Sequence, residues 1–312
     1  MNPHPSQGTV PARLGDFAIV GTLGEGGSGV VLDARWGHRE VALKVLHPAL
    51  VATPKEREQF LAEARLLSEL QHPGVVKVLG VGETPDGRPY LAMEKLHGET
   101  LAARLARGPL TLAIALELFD QLADAVAALH ARGLIHRDLK PENIVLVAGA
   151  DGRQHAVLLD FGIAKDLAAP ASTTTQDGGV RGTPAYMAPE RFFGQAASIA
   201  TDVYELAVTL FAMLAGRLPW DDCADPEVRL NPISLATVAP GLPAALDVEV
   251  RRALSTRAQN RPAGARELRD AVLVAAGRLA SAVAAPRTTD AVRPAARPTT
   301  RSRCGAPTTR SR

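Results

Sequence analysis

Beginning at residue 17 the chain runs in short apolar stretches broken by turns, and at residue 101 it changes to longer stretches with helical spacing. Residues 17–23, 30–35 and 39–46 predict three strands, the last a nearly continuous run of apolar residues interrupted by Lys44. Residues 55–70 space Phe60, Ala64, Leu67 and Leu70 along one helical stripe with Glu63 beside it, and His72, Pro73 and Gly74 stop that helix. Residues 75–81 and 88–93 read as two further strands joined by a turn at 84–87. The predicted unit is a five-stranded antiparallel lobe carrying one helix. Residues 101–106 and 111–132 then predict amphipathic helices, the longer one with Leu116, Phe119, Leu122, Val126 and Leu129 recurring every three or four residues. The fold class expected is therefore α+β and bilobal, with a second, mainly helical lobe.

Polar residues concentrate where these elements meet. Gly24, Gly26 and Gly29 followed by Val31 make a Gly-x-Gly-x-x-Gly-x-Val stretch between two predicted strands. A dinucleotide-binding fingerprint of the same spacing opens a helix, whereas β-branched Val30 and Val31 and the turn at 36–39 predict a hairpin. Such a hairpin lets backbone N–H groups approach a polyphosphate, and a plain glycine-rich turn fits the residues equally well. Lys44 inside an apolar strand requires a partner, since an unpaired buried ammonium is costly. Residues 136–143 end the long helix with His136, Arg137, Asp138, Lys140 and Asn143. Asp138 is suited to accept a proton, Lys140 to hold negative charge on a migrating phosphoryl group, and Asn143 to ligate a hard cation. Two short strands, 144–147 and 156–159, bracket Asn143 and Asp160, an amide and a carboxylate of the kind a magnesium ion takes.

Composition narrows the setting. The chain has 312 residues, 46% hydrophobic, enough for a sizeable core. Cys223 and Cys304 are too far apart for metal-ligand spacing, which argues against a disulfide scaffold or zinc site and for a reducing cytoplasm. The first sixteen residues lack the apolar core of a signal peptide, and the nearest candidate for a membrane span, residues 271–285, contains Arg278 and reads as a terminal alanine-rich helix. The net charge of +2 is uneven: residues 287–312 hold seven arginines against Asp290, a net +6, so the remainder carries −4. Residues 1–15 are expected to be a flexible lead-in and 284–312 a basic disordered tail able to contact an anionic partner.

Six stretches in order resemble the protein kinase family, and in particular the eukaryotic-like serine/threonine kinases of bacteria: the glycine-rich loop, residues 41–44 ending in Lys44, helical Glu63, residues 136–138, Asp160-Phe161-Gly162 and Ala188-Pro189-Glu190. The resemblance spans residues 16–283, with an N-terminal lobe to residue 95 and a C-terminal lobe from 96, and includes Asp202 and an Arg261 that pairs with Glu190 in relatives. It implies that Leu23, Gly24, Gly26 and Gly29 cover ATP, and that Lys44, held by Glu63, contacts its phosphates. Val31, Ala42 and Val145 enclose adenine, Met93 backs the pocket, and the backbone from Glu94 to Leu96 bonds the base edge. Asn143 and Asp160 hold magnesium, while Asp138 and Lys140 are catalytic. Lys140 and the Gly182-Thr183-Pro184 stretch match kinases of serine and threonine hydroxyls in proteins. Arg137 implies control by phosphorylation of a loop containing Thr173, Thr174 and Thr175, with Thr183 also regulatory and the Asp177 charge a partial substitute for phosphate. Relatives also pair through their N-terminal lobes. Two departures stand out: Glu205 and Ala207 replace a usual serine and glycine, an exchange expected to alter packing only, and the proline-rich stretch from Trp220 to Leu246 is expected to shorten a helix to a turn or two. The alternatives are a nucleotide-binding module without transfer activity, a small-molecule kinase, and nucleic-acid binding by the arginine tail.

Overall fold

A computed structural model describes residues 13–149, 152–162, 184–221 and 226–277. In the first lobe strands β1 (Arg13–Leu14), β2 (Phe17–Gly26), β3 (Gly29–Trp36), β4 (Arg39–Leu46), β5 (Val78–Glu83) and β6 (Pro89–Glu94) form one antiparallel sheet in the order β1-β2-β3-β4-β6-β5. The five expected strands are all present. The sixth, β1, shortens the expected lead-in by two residues: Gly15, at φ 57°, turns the chain so that Leu14 pairs with Phe17 and is buried beside it. Glycine has no Cβ to oppose that backbone conformation.

Alternation along β4 divides the lobe into two faces. Val41, Leu43 and Val45 pack with Phe17, Leu32, Ala34 and Ala92 in a small core of their own, while Leu46, with half-buried Ala42, joins the main core that runs on into the second lobe. Lys44 shares the side of the strand that carries Ala42 and Leu46. Helix α1 (Pro54–Ser68) begins with a capping box between Thr53 and Glu56 and a proline in its first turn, both strong start signals. Its buried stripe is Phe60, Ala64 and Leu67.

The second lobe opens with β7 (Gly98–Thr100) and α2 (Leu101–Leu105), followed by α3 (Leu112–His130). Strands β8 (Ile144–Ala148) and β9 (Gln154–Leu158) complete a small sheet in the order β7-β8-β9. Backbone bonds from Val76 N–H to the Leu158 carbonyl and from Leu158 N–H to the Gly74 carbonyl fasten this sheet to the chain entering β5. Then come α4 (Pro189–Phe192), α5 (Ile199–Ala215), α6 (Leu235–Val238), α7 (Ala244–Ala253) and α8 (Ala265–Ala275). Helix α5 is buried on every side, from Thr201 through Leu214, and is the axis of the lobe. Between Trp220 and the start of α7 at Ala244 only a 3-10 turn, Pro226–Leu230, and the four residues of α6 are helical among the described residues, in keeping with the prolines there.

Candidate active site

The segment from His136 to Asn143 leaves α3 and is fixed from beneath by α5. Asp202, in the first turn of α5 and fully buried, accepts the backbone N–H of His136 at 2.8 Å and of Arg137 at 2.9 Å, while His130 Nε2 donates to it at 2.8 Å. His136 is also buried, and its Nε2 donates to the Leu159 carbonyl at 2.9 Å. Burial holds its imidazole pKa below the ordinary value, so the ring is a neutral structural donor. One turn further along α5, the buried Glu205 accepts the Leu139 N–H at 2.8 Å. Among the described residues two non-glycine positions are held at positive φ, Arg137 at 69° and Asp160 at 51°. Conformations of this kind cost of order 1–3 kcal/mol each and persist where surrounding bonds over-determine them. Here the bonds to Asp202 supply that constraint for Arg137. Gly162 lies against the same segment, with its N–H on the His136 carbonyl, and a Cβ there would meet Arg137 Cβ at 3.0 Å.

On this frame the candidate catalytic groups converge. Asn143 Nδ2 donates to the Asp138 carbonyl at 2.8 Å and to Asp138 Oδ2 at 2.9 Å, and Lys140 Nζ lies 3.2 Å from the same oxygen. The carboxylate is thus oriented by an amide and an ammonium. Because the Asn143 nitrogen is spent on Asp138, its side-chain oxygen is the atom suited to a hard cation. Asp160, whose neighbour Leu159 donates its N–H to the Asn143 carbonyl at 2.8 Å, would supply a second oxygen ligand. Among the described residues no group of three or more His, Cys, Asp or Glu could hold a metal by itself. This donor set fits a small hard cation that completes its shell with water and phosphate oxygens.

The ion pairs differ from those expected. Lys44 Nζ pairs with Asp160 Oδ1 at 2.5 Å, and Glu63 Oε2 pairs with Arg137 Nη1 at 2.7 Å. The expected Lys44–Glu63 pair is replaced by two others. The physical reason is local: the Arg137 side chain is largely buried, a buried guanidinium demands a carboxylate, and Glu63 on α1 lies within reach of it.

The nucleotide-side residues lie along the sheet. Register sets Val31 opposite Lys44, Ala42 opposite Met93 and Gly24 opposite Val31, so Val31, Ala42 and Met93 belong to adjoining strands, while Val145 comes from β8 of the second sheet. Met93 and Val145 are buried, Leu96 is half-buried and Leu23 is exposed. Glu94 donates its N–H to the Lys77 carbonyl at 2.9 Å, so the base-edge donor in this segment has to come from Lys95 or Leu96. The three glycines separate into two kinds. A Cβ on Gly29 would meet the Val45 carbonyl at 2.1 Å, a packing requirement between β3 and β4, whereas one on Gly24 or Gly26 would meet nothing within 4 Å. The latter two leave the open backbone that a polyphosphate needs.

Beyond the catalytic segment, burial pushes the Tyr186 phenol in the Pro184–Tyr186 turn well above its ordinary pKa, and the carboxylate of Glu142 adds to the shift. Although burial raises the Glu190 carboxyl, paired bonds from Arg261 at 2.9 and 2.8 Å hold it below its usual value. The expected Arg261–Glu190 pair is therefore present. Thr173, Thr174, Thr175, Asp177, Thr183 and the basic tail lie outside the described residues.

Glu205 carries a role that the sequence reading missed, and its signal was visible as a lone carboxylate in the apolar run 203–214. Glu205→Ala leaves the Leu139 N–H unsatisfied and is expected to lower unfolding free energy by about 1–3 kcal/mol, while Glu205→Gln, which keeps an acceptor, loses less. Urea titration of the three proteins measures the difference, and equal midpoints would refute the role.

Comparison with known proteins matches residues 17–260 to the protein kinase domain family. The chain is 41% identical over 273 residues to serine/threonine-protein kinase pkn2 of Myxococcus xanthus, covering 84% of this chain and 32% of that protein. It is 37% identical over 274 residues to serine/threonine-protein kinase PknB of Mycobacterium tuberculosis, covering 84% and 43%. The crystal structure of the PknI kinase domain of Mycobacterium tuberculosis aligns at 30% identity with a TM-score of 0.69, covering 85% of this chain and 98% of that one. The chain spans less than half the length of these curated relatives.

Proposed function

The chain belongs to the protein kinase family, and from that premise we propose that it transfers the γ-phosphoryl group of ATP to serine and threonine hydroxyls of proteins, with magnesium as the cation. The observation that carries this reading is the orientation of Asp138 by Asn143 and Lys140. In this arrangement Asp138 receives the proton of the attacking hydroxyl and Lys140 steadies the negative charge of the migrating group. Lys44 contacts the nucleotide phosphates, and Gly24 and Gly26 offer them backbone N–H groups. Asn143 and Asp160 hold the cation, which supplies charge neutralisation across the phosphates. The remaining work is positioning: Asp202, His136 and Glu205 keep Asp138 in place. Incubation of the purified chain with labelled ATP and peptides bearing serine, threonine or tyrosine tests the reading. Label is expected on the first two, and none on either would sink it.

Regulation follows from the Arg137–Glu63 pair. A phosphate on Thr173, Thr174, Thr175 or Thr183 competes with Glu63 for the Arg137 guanidinium, because a dianion makes stronger charge-assisted bonds than a carboxylate. Glu63 is then released to Lys44, and Lys44 exchanges Asp160 for Glu63, leaving Asp160 to the cation. Autophosphorylated wild type is expected to be about tenfold more active than phosphatase-treated protein, and Arg137→Ala to abolish that ratio. Steady-state assays of both forms decide it; a ratio preserved in Arg137→Ala rules the exchange out.

No helix among the described residues is long and apolar enough to cross a membrane. The reducing-compartment chemistry of two isolated cysteines supports a cytoplasmic setting. Pairing through the N-terminal lobe and contact of the basic tail with an anionic partner belong to the same proposal, the second resting on the +6 charge of residues 287–312.

A further inference from the structure

Arg229 is 1% exposed and is among the largest fully buried side chains of the described residues. A guanidinium is costly to bury, so its surroundings must compensate. It extends from the 3-10 turn Pro226–Leu230, with its Cζ 4.6 Å from the Phe192 ring centroid and 4.2 Å from that of Trp220. Its Nη1 donates to the Ala185 carbonyl at 3.4 Å. Trp220 in turn stacks on Tyr204 of α5, with centroids 6.3 Å apart and planes at 11°. The opposite cation, Arg261, lies 4.8 Å from the Tyr204 ring and forms paired bonds to Glu190. The result is a circuit of contacts that begins and ends on α4, running from Phe192 through Arg229, Trp220, Tyr204 and Arg261 to Glu190. Helix α4 is gripped through Glu190 by Arg261 and through Phe192 by Arg229, and the Pro184–Tyr186 turn is tied to the same circuit. That turn packs against α5, the helix that holds the catalytic segment through Asp202 and Glu205.

We propose that Arg229 is a positioning residue for the polypeptide substrate, bracing the Pro184–Tyr186 turn and α4 so that an incoming chain presents its hydroxyl to Asp138. This rests on the protein-kinase reading above. Arginine is required because only a planar guanidinium stacks between two rings while donating in its own plane; lysine keeps the charge and stem but not the sheet-like contact. A small displacement of this backbone misplaces the substrate and leaves the ATP site, built from β2 to β6 and β8, unaltered.

The test uses Arg229→Met, which keeps most of the apolar packing, and Arg229→Lys. With a serine/threonine peptide and ATP varied in turn, Met is expected to raise the peptide KM about tenfold and Lys by an intermediate factor, with the ATP KM within about twofold of wild type. Hydrogen exchange, which needs no turnover, is expected to quicken about tenfold in residues 184–193 of both variants and to stay at wild-type rates in residues 144–158. If the Met variant does not fold, the Lys variant decides by the same two readouts. Parallel rises in both Michaelis constants, an unchanged peptide KM, or unchanged exchange at 184–193 would overturn the proposal. A wild-type chain that labels no peptide strikes instead at the kinase reading, and the exchange data then judge the brace alone.

Discussion

Asp138→Asn is expected to lower phosphoryl transfer by about 10²–10⁴-fold, the range associated with loss of a positioned general base, with ATP affinity little changed. The replacement keeps the shape of the side chain but removes its charge and its ability to accept the substrate proton. An asparagine whose amide oxygen takes the Oδ2 position still accepts the Asn143 Nδ2 bond, at present 2.9 Å, so the orientation of the side chain is kept while the base is lost. Lys140, 3.2 Å from the same oxygen, loses its counter-charge. Nucleotide contacts from Lys44, Gly24 and Gly26 belong to other elements and are unaffected. Single-turnover transfer from labelled ATP, alongside titration with a fluorescent nucleotide, separates the two quantities. Transfer within tenfold of wild type would show that another group takes the proton.

Asp202→Ala is expected to be the most damaging change to stability, about 3–5 kcal/mol, because it breaks a buried charged network by removing one partner. The carboxylate satisfies the N–H groups of His136 and Arg137 and the ring of His130 at once. Without it two backbone donors are stranded inside the protein, and the backbone bond that holds Arg137 at φ 69° is lost. Transfer activity falls with it, since Asp138 follows Arg137 directly. Denaturant unfolding measures the first effect and kcat the second; a loss below about 1 kcal/mol would mean that water or His130 replaces the bonds.

The two effects are linked by what could and could not be foreseen. Asp138, Lys140, Asn143 and Asp160 were legible because their residue types, order and spacing carry the chemistry, and the structure brings Asp138, Lys140 and Asn143 within hydrogen-bond or ion-pair distance. The strands and helices were legible because alternation and helical spacing report which face is buried. Departures came at β1, where burial of Leu14 extended the sheet, at β7, a three-residue strand with no alternation to mark it, and at the terminal helix, read at 271–285 and found at Ala265–Ala275. The partner of Glu63 was misjudged because an ion pair 74 residues apart in sequence depends on how α1 sits over the catalytic segment. Glu205 was read as packing alone, since nothing in residues 203–214 indicates that Leu139, 66 positions earlier, presents its N–H there.

By itself, then, the order of residues determined the bilobal α+β plan, the start of α1, and the residue types that meet at the candidate site. These follow from local periodicity, capping and residue chemistry. Tertiary structure alone decided which charges meet: Lys44 with Asp160, Glu63 with Arg137, and Arg229 between Phe192 and Trp220. The reason is that an ion pair or a stacked guanidinium is selected by distance and desolvation at close quarters, and both arise only when elements distant in the chain have packed.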